Sequence, residues 1–116
     1  MTNTQKSQQE KIGQLQVLEH NLQGVLAQKQ QFQAQLYEIN SALEEIDTSE
    51  EVYKILGGVL LKKKKEDIKK ELTEKKEIVT IRITTIEKQE KRLQEQAQTI
   101  QEALLQEMSA EEKVKQ

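Results

Sequence analysis

Val52-Tyr53-Lys54-Ile55-Leu56-Gly57-Gly58-Val59-Leu60-Leu61 is the one stretch of this chain that does not read as a long helix, and it decides the fold. Two short runs rich in β-branched and aliphatic residues flank a Gly-Gly dipeptide, which suits the tight hairpin turns that need positive φ at both central positions. Residues 52–62 therefore read as a β-hairpin. Strand alternation puts Tyr53 and Ile55 on one face and Val52 and Leu56 on the other, with Leu60 opposed to Val59 and Leu61, so both faces are apolar. An isolated two-stranded ribbon is marginal in water and leaves unpaired N–H and C=O groups along both edges. Nothing else in the chain reads as strand. The expected neighbours come from other chains, with Val52, Tyr53, Ile55, Leu56, Gly57, Gly58, Val59, Leu60 and Leu61 as the oligomerisation surface. The alternative is a small local core on the base of the flanking helices, although two helices cannot cover both ribbon faces.

On the N-terminal side, Leu15, Leu18, Leu22, Val25, Lys29, Phe32, Leu36, Ile39, Leu43 and Ile46 follow alternating steps of three and four. That is a heptad seam with one polar member, and it predicts a helix over residues 11–47. Residues 1–10 show no apolar period and are expected to be flexible. Gly13 and Gly24 each cost about 1 kcal/mol relative to Ala in a helix interior, so looser packing is expected in that half. Asp47-Thr48-Ser49 favours turns and should end the helix.

After the hairpin, Lys62-Lys63-Lys64-Lys65 precedes Glu66 and Asp67, acidic residues placed where they favour a helix N-terminus. A seven-residue repeat follows through Leu72, Val79, Ile86, Leu93 and Ile100, with companions Lys76, Ile83, Glu90, Ala97 and Leu104. It predicts a second helix over 65–110, with 111–116 flexible. Ile78-Val79-Thr80-Ile81-Arg82-Ile83-Thr84-Thr85-Ile86 would be strand by propensity alone, but the heptad runs through it unbroken. Ile81 then faces away from the seam. The two seams have equal reach, roughly 45–50 Å at 1.5 Å per residue. Equal arms joined by a short hairpin predict a mainly α fold: one domain over 1–116 built as an antiparallel two-helix coiled coil with a central β-hairpin, both termini at the far end. Every Gln lies within 5–35 or 89–116, so the two distal halves share an uncharged polar character.

Composition agrees. With 34% hydrophobic and 33% charged residues, one Phe and no Trp, the 116-residue chain lacks the bulk for a thick core, and the absence of Pro favours long helices. No Cys means no disulfide and no thiolate metal site, which fits a reducing cytoplasm. No segment approaches a membrane span of about 18 apolar residues, and a net charge of −2 gives no general pull toward nucleic acid or an anionic membrane.

Tyr53-Lys54-Ile55-Leu56-Gly57 followed by Val59-Leu60-Leu61-Lys62, set between two heptad helices of this length, resembles the beta-type subunits of prefoldin, a chaperone of archaea and eukaryotes. The resemblance covers nearly the whole chain, and its single hairpin matches the beta type rather than the alpha type, which carries two. The lack of extra terminal segments favours the archaeal kind. What the resemblance implies is a hexamer of two alpha and four beta subunits, with hairpins joined into an intersubunit β-barrel. It further implies coiled-coil tips that hold unfolded client protein without ATP and deliver it to a group II chaperonin. Closing several hairpins into a barrel would satisfy the edge groups and bury both faces.

Near the expected tips, Ile12, Leu15, Val17, Leu18 and Leu22 from the first arm meet Ile100, Leu104, Leu105 and Met108 from the second. Leu15, Leu18 and Leu22 lie on the seams, where ordinary coiled-coil packing explains them at least as well. Ile12, Val17, Leu105 and Met108 fall off the seams, free to grip apolar client segments, with Met as an adaptable contact. No catalytic, cofactor-binding or metal site is expected. Gly57-Gly58 with the lysines does not satisfy the phosphate-loop pattern, His20 is the sole histidine, and the carboxylates scatter among lysines on helix faces. The lysine run lacks interleaved aromatics and is followed by acids, which favours a solvated strand end over a nucleic-acid patch. Two other classes stay open: a structural coiled-coil spacer bridging folded partners, and a nucleic-acid-binding helical arm.

Overall fold

In the computed structural model, which describes residues 3–115, the element order is α1 (Asn3–Thr48), β1 (Val52–Leu56), β2 (Val59–Lys63) and α2 (Lys65–Lys115). Both helices exceed the expected bounds. Residues 3–10 and 111–115, expected to be flexible, continue α1 and α2, while Met1, Thr2 and Gln116 lie outside the described residues. The physical reason is that these segments are rich in helix formers such as Gln, Glu and Lys and find polar rather than apolar partners: Ser7 and Gln8 on α1 bond Glu107 and Glu111 on α2.

Contacts along a helix pair are local, and the chain resolves into two compact units, a terminal unit of Met1–Gln28 with Ile86–Gln116 and a hairpin unit of Lys29–Thr85. In the hairpin unit α1 stops where Thr48 and Ser49 turn their hydroxyls back onto the Glu45 carbonyl, at 3.0 and 2.8 Å, and the Ser49 N–H donates to the Ile46 carbonyl at 3.2 Å. Such local side-chain bonds compete with continuation of the helix. Helix α2 starts at Lys65, its first turn carrying Glu66 and Asp67 beside the positive end of the dipole.

Strands β1 and β2 pair antiparallel with Leu56 opposite Val59, Ile55 opposite Leu60, Lys54 opposite Leu61, Tyr53 opposite Lys62 and Val52 opposite Lys63. The two-residue turn places Gly57 at φ 54° and Gly58 at φ 80°, the doubly positive geometry that only residues without a Cβ adopt freely. The buried core of this unit is a narrow seam in which Ile46, Val79 and Ile83 are nearly inaccessible and Phe32, Leu36, Ile39, Leu43 and Leu72 are more accessible. The β-branched run 78–86 is helical throughout, and Ile81 points to solvent at 65% exposure. Packing of Val79, Ile83 and Ile86 outweighs propensity differences of a few tenths of a kcal/mol per residue. The Arg82 guanidinium lies 5.7 Å from the centroid of the Phe32 ring, covering the chain's one phenylalanine with a cation–π contact.

In the terminal unit Ile86 is buried, and Leu15, Leu18, Leu22, Val25, Leu93, Ala97, Ile100 and Leu104 are half-buried. The helices run antiparallel, with Gln8 meeting Glu111 and Lys11 meeting Glu107.

Candidate functional site

Alternation along the paired strands gives the ribbon two different faces. Val52, Lys54, Leu56, Val59, Leu61 and Lys63 share one, and Tyr53, Ile55, Leu60 and Lys62 the other. The first face leans on its own helix: Val52 and Lys54 are half-buried, and the Lys54 ammonium donates to Glu71 Oε1 on α2 at 2.6 Å. That hydrogen bond is the main reason the Glu71 carboxyl is held below the ordinary carboxylate range, against the opposing effect of desolvation. The second face is bare, with Ile55 at 71% and Leu60 at 62% exposure. Tyr53, Leu56, Val59 and Leu61 are exposed as well, so six large apolar side chains in ten strand residues face water. Among the described residues neither strand has a second neighbour, since the sheet is β1 and β2 alone.

Polar contacts frame this surface. The Tyr53 hydroxyl donates to Glu51 Oε2 at 2.6 Å, which keeps the phenol protonated to higher pH than usual. Lys62 lies 3.5 Å from Glu51, while Lys65 Nζ donates to the Asp47 carbonyl at 3.1 Å and Lys69 to its carboxylate at 3.0 Å. The Lys69 hydrogen bond lowers the Asp47 pKa. The lysine run thus meets acidic residues at the junction of hairpin and helices, where Lys62 and Lys65 both have local partners.

The terminal unit divides the expected client residues into three groups. Leu15, Leu18 and Leu104 are half-buried in the seam, whereas Ile12, Val17, Leu105 and Met108 are exposed. At 3.6 residues per turn, Ile12 on α1 and Leu105 and Met108 on α2 project from the same flank of the antiparallel pair, level with the contact between Lys11 and Glu107. Val17 projects from the opposite flank, where it lines an open groove of about 930 Å³ with Gly13, Gln14, Leu18, Gln96, Thr99 and Ile100, rimmed by Glu10, Glu95 and Arg92. One expected site is therefore two surfaces on opposite sides of one helix pair. Sequence reasoning also missed Lys54 with Glu71 and Lys11 with Glu107. For Lys11 and Glu107 a signal existed, because both occupy the heptad positions that follow Leu15 and Ile100 outward.

Among the described residues no group of three or more His, Cys, Asp or Glu side chains is placed to hold a metal ion, and no helix is long and apolar enough to cross a membrane.

Two long helices joined by a ribbon that has no third strand among the described residues, and that carries an uncovered apolar face, define a class: coiled-coil subunits with a sheet module at the helical turn. The chain belongs to the prefoldin subunit family, whose model matches residues 9–111. It is 46% identical over 96 residues to the prefoldin subunit beta of Archaeoglobus fulgidus, covering 80% of this chain and 83% of the relative. It is 40% identical over 111 residues to that of Thermococcus onnurineus, covering 90% and 96%. The crystal structure of the prefoldin beta subunit from Thermococcus strain KS-1 superposes with a TM-score of 0.83 at 34% identity, over 90% of this chain and 94% of that one. Sequence and fold thus agree on a prefoldin chaperone subunit of the beta kind.

Proposed function

We propose that this chain acts as the beta subunit of a hetero-hexameric holdase, two alpha and four beta subunits joined through their hairpins. It captures unfolded polypeptide on the terminal helices without ATP and passes it to a group II chaperonin in the cytoplasm. One observation carries the assembly half: six exposed apolar side chains on a two-stranded ribbon that has no third strand among the described residues, a surface unfavourable in water that strand addition from neighbouring chains satisfies. Val52, Tyr53, Ile55, Leu56, Val59, Leu60 and Leu61 supply the contacts, and Gly57 and Gly58 the turn that aligns them.

The client half rests on the exposed Ile12, Val17, Leu105 and Met108, with the half-buried seam residues Leu15, Leu18 and Leu104 in the same unit. Apolar side chains without a matching polar code suit a partner recognised only by its hydrophobic segments. Weak contact at each helix pair becomes firm capture when several pairs hold one client. No nucleic acid or membrane is involved.

Mixing the chain with an alpha-type subunit and sizing the product tests the assignment. A discrete hexamer that appears only in the mixture and suppresses aggregation of a denatured client supports it. A concentration-independent monomer in both samples points to the coiled-coil spacer instead.

A further inference from the structure

The apolar seams are interrupted by polar residues near the ends of the helices. In α1 the steps of three and four through Leu22, Leu18 and Leu15 continue outward onto Lys11 and Gln8. In α2 the repeat through Leu93 and Ile100 continues onto Glu107, and its companion series through Ala97 and Leu104 onto Glu111. These polar residues meet. Glu107 Oε1 accepts from Lys11 Nζ and, at 3.0 Å, from Ser7 Oγ, while Lys11 also donates to Ser7 Oγ at 2.7 Å and Gln8 Nε2 donates to Glu111 Oε2 at 3.0 Å. The Lys11 and Glu107 side chains are only 23% and 28% exposed, and the second Glu107 oxygen is buried with no hydrogen-bond partner among the described residues.

A pair of leucines here would bury apolar area without desolvating a charge, so the polar set is not the most stabilising choice for these turns. What it supplies is register. A leucine seam tolerates rotation and sliding, whereas a carboxylate held by two donors on one turn of the partner helix cannot shift without stranding a half-buried charge. Ile12 comes from α1, and Leu105 and Met108 from α2, so their shared patch exists only while the two helix ends keep that register.

Resting on the client reading above, we infer that Lys11 and Glu107 are positioning residues for client capture, a polar clasp that holds Ile12, Leu105 and Met108 together as one surface. The test uses the full chain in its assembly with an alpha-type subunit. Lys11→Glu sets two carboxylates against each other; amide hydrogen exchange over residues 3–14 and 104–113 rises about tenfold, with the hairpin unit unchanged, and suppression of client aggregation falls. Glu107→Lys does the same. The double variant Lys11→Glu with Glu107→Lys reverses the charges and restores both readouts, which a generic loss of helix would not allow.

Unchanged exchange in the single variants, or no restoration in the double, overturns the inference. So does faster exchange with full suppression, if Ile12→Ser with Leu105→Ser and Met108→Ser still weakens suppression; the client surface then stands without the clasp. Full suppression by that triple variant overturns the client surface and the clasp together.

Discussion

The Lys54 ammonium and the Glu71 carboxylate meet at 2.6 Å, tying strand β1 to the second turn of α2 across seventeen residues of sequence. Both side chains are about one-third exposed, so the bond acts on the orientation of the ribbon more than on global stability. It leaves the Tyr53, Ile55 and Leu60 face turned outward.

The pair makes ribbon docking sensitive to acid. Folding lowers the Glu71 pKa, chiefly through the Lys54 hydrogen bond, with Lys75 and Lys63 adding smaller attraction. The stabilisation is therefore complete above the ordinary glutamate pKa of about 4.3 and disappears as pH falls through the lower folded-state value. Replacing Lys54 with Met should flatten this acid dependence for the hairpin amides in a hydrogen-exchange series, leaving the neutral-pH helix content unaltered. An acid limb identical to the parent's would show that the bond contributes nothing in solution.

Two isoleucines of α2, Ile81 and Ile83, stand two positions apart on different sides of the helix and should respond differently to truncation. Ile83→Ala removes a buried side chain from the seam and should cost about 2–3 kcal/mol in urea unfolding. Ile81→Ala, at 65% exposure, should change stability by less than about 0.5 kcal/mol. Equal losses at the two positions would contradict the seam described above.

Gly24 sits inside α1 with nothing within 4 Å of where a Cβ would stand. Gly24→Ala should stabilise the helix by about 0.5–1 kcal/mol, read as a higher thermal midpoint with unchanged assembly. A lower midpoint would mean that the position is packed in solution.

The turn should tolerate little. Gly58 holds φ at 80°, and a β-branched residue there is strained whatever the space around it. Gly58→Val should cost about 1–2 kcal/mol of hairpin stability and reduce hexamer yield on mixing with an alpha-type subunit, while Gly57→Asn is nearly neutral. Full hexamer yield from Gly58→Val would show that the ribbon is not the joint.

The client surface is open to a direct check. Ile12→Ser with Leu105→Ser and Met108→Ser leaves the seam intact and should weaken aggregation suppression severalfold at unchanged hexamer yield. Val17→Ser, on the opposite flank, separates the groove from the patch: an effect there alone would move the client site to the groove.

The seams, the hairpin and its turn, and the helix stop at Asp47-Thr48-Ser49 were all determined by the sequence, because heptad spacing and a Gly-Gly dipeptide are local patterns that sterics and burial translate directly into structure. The outer helix turns were not legible in that way. Periodicity is sought in apolar residues, and Ser7, Gln8, Lys11, Glu107 and Glu111 continue the pairing with polar ones. Only the tertiary structure decided that these groups meet, that Lys54 reaches Glu71, and that Ile12, Leu105 and Met108 share one flank while Val17 takes the other. Each of those depends on the register between two helices or between strand and helix, and pairing across the fold is a property of distance in space that separation along the chain does not encode.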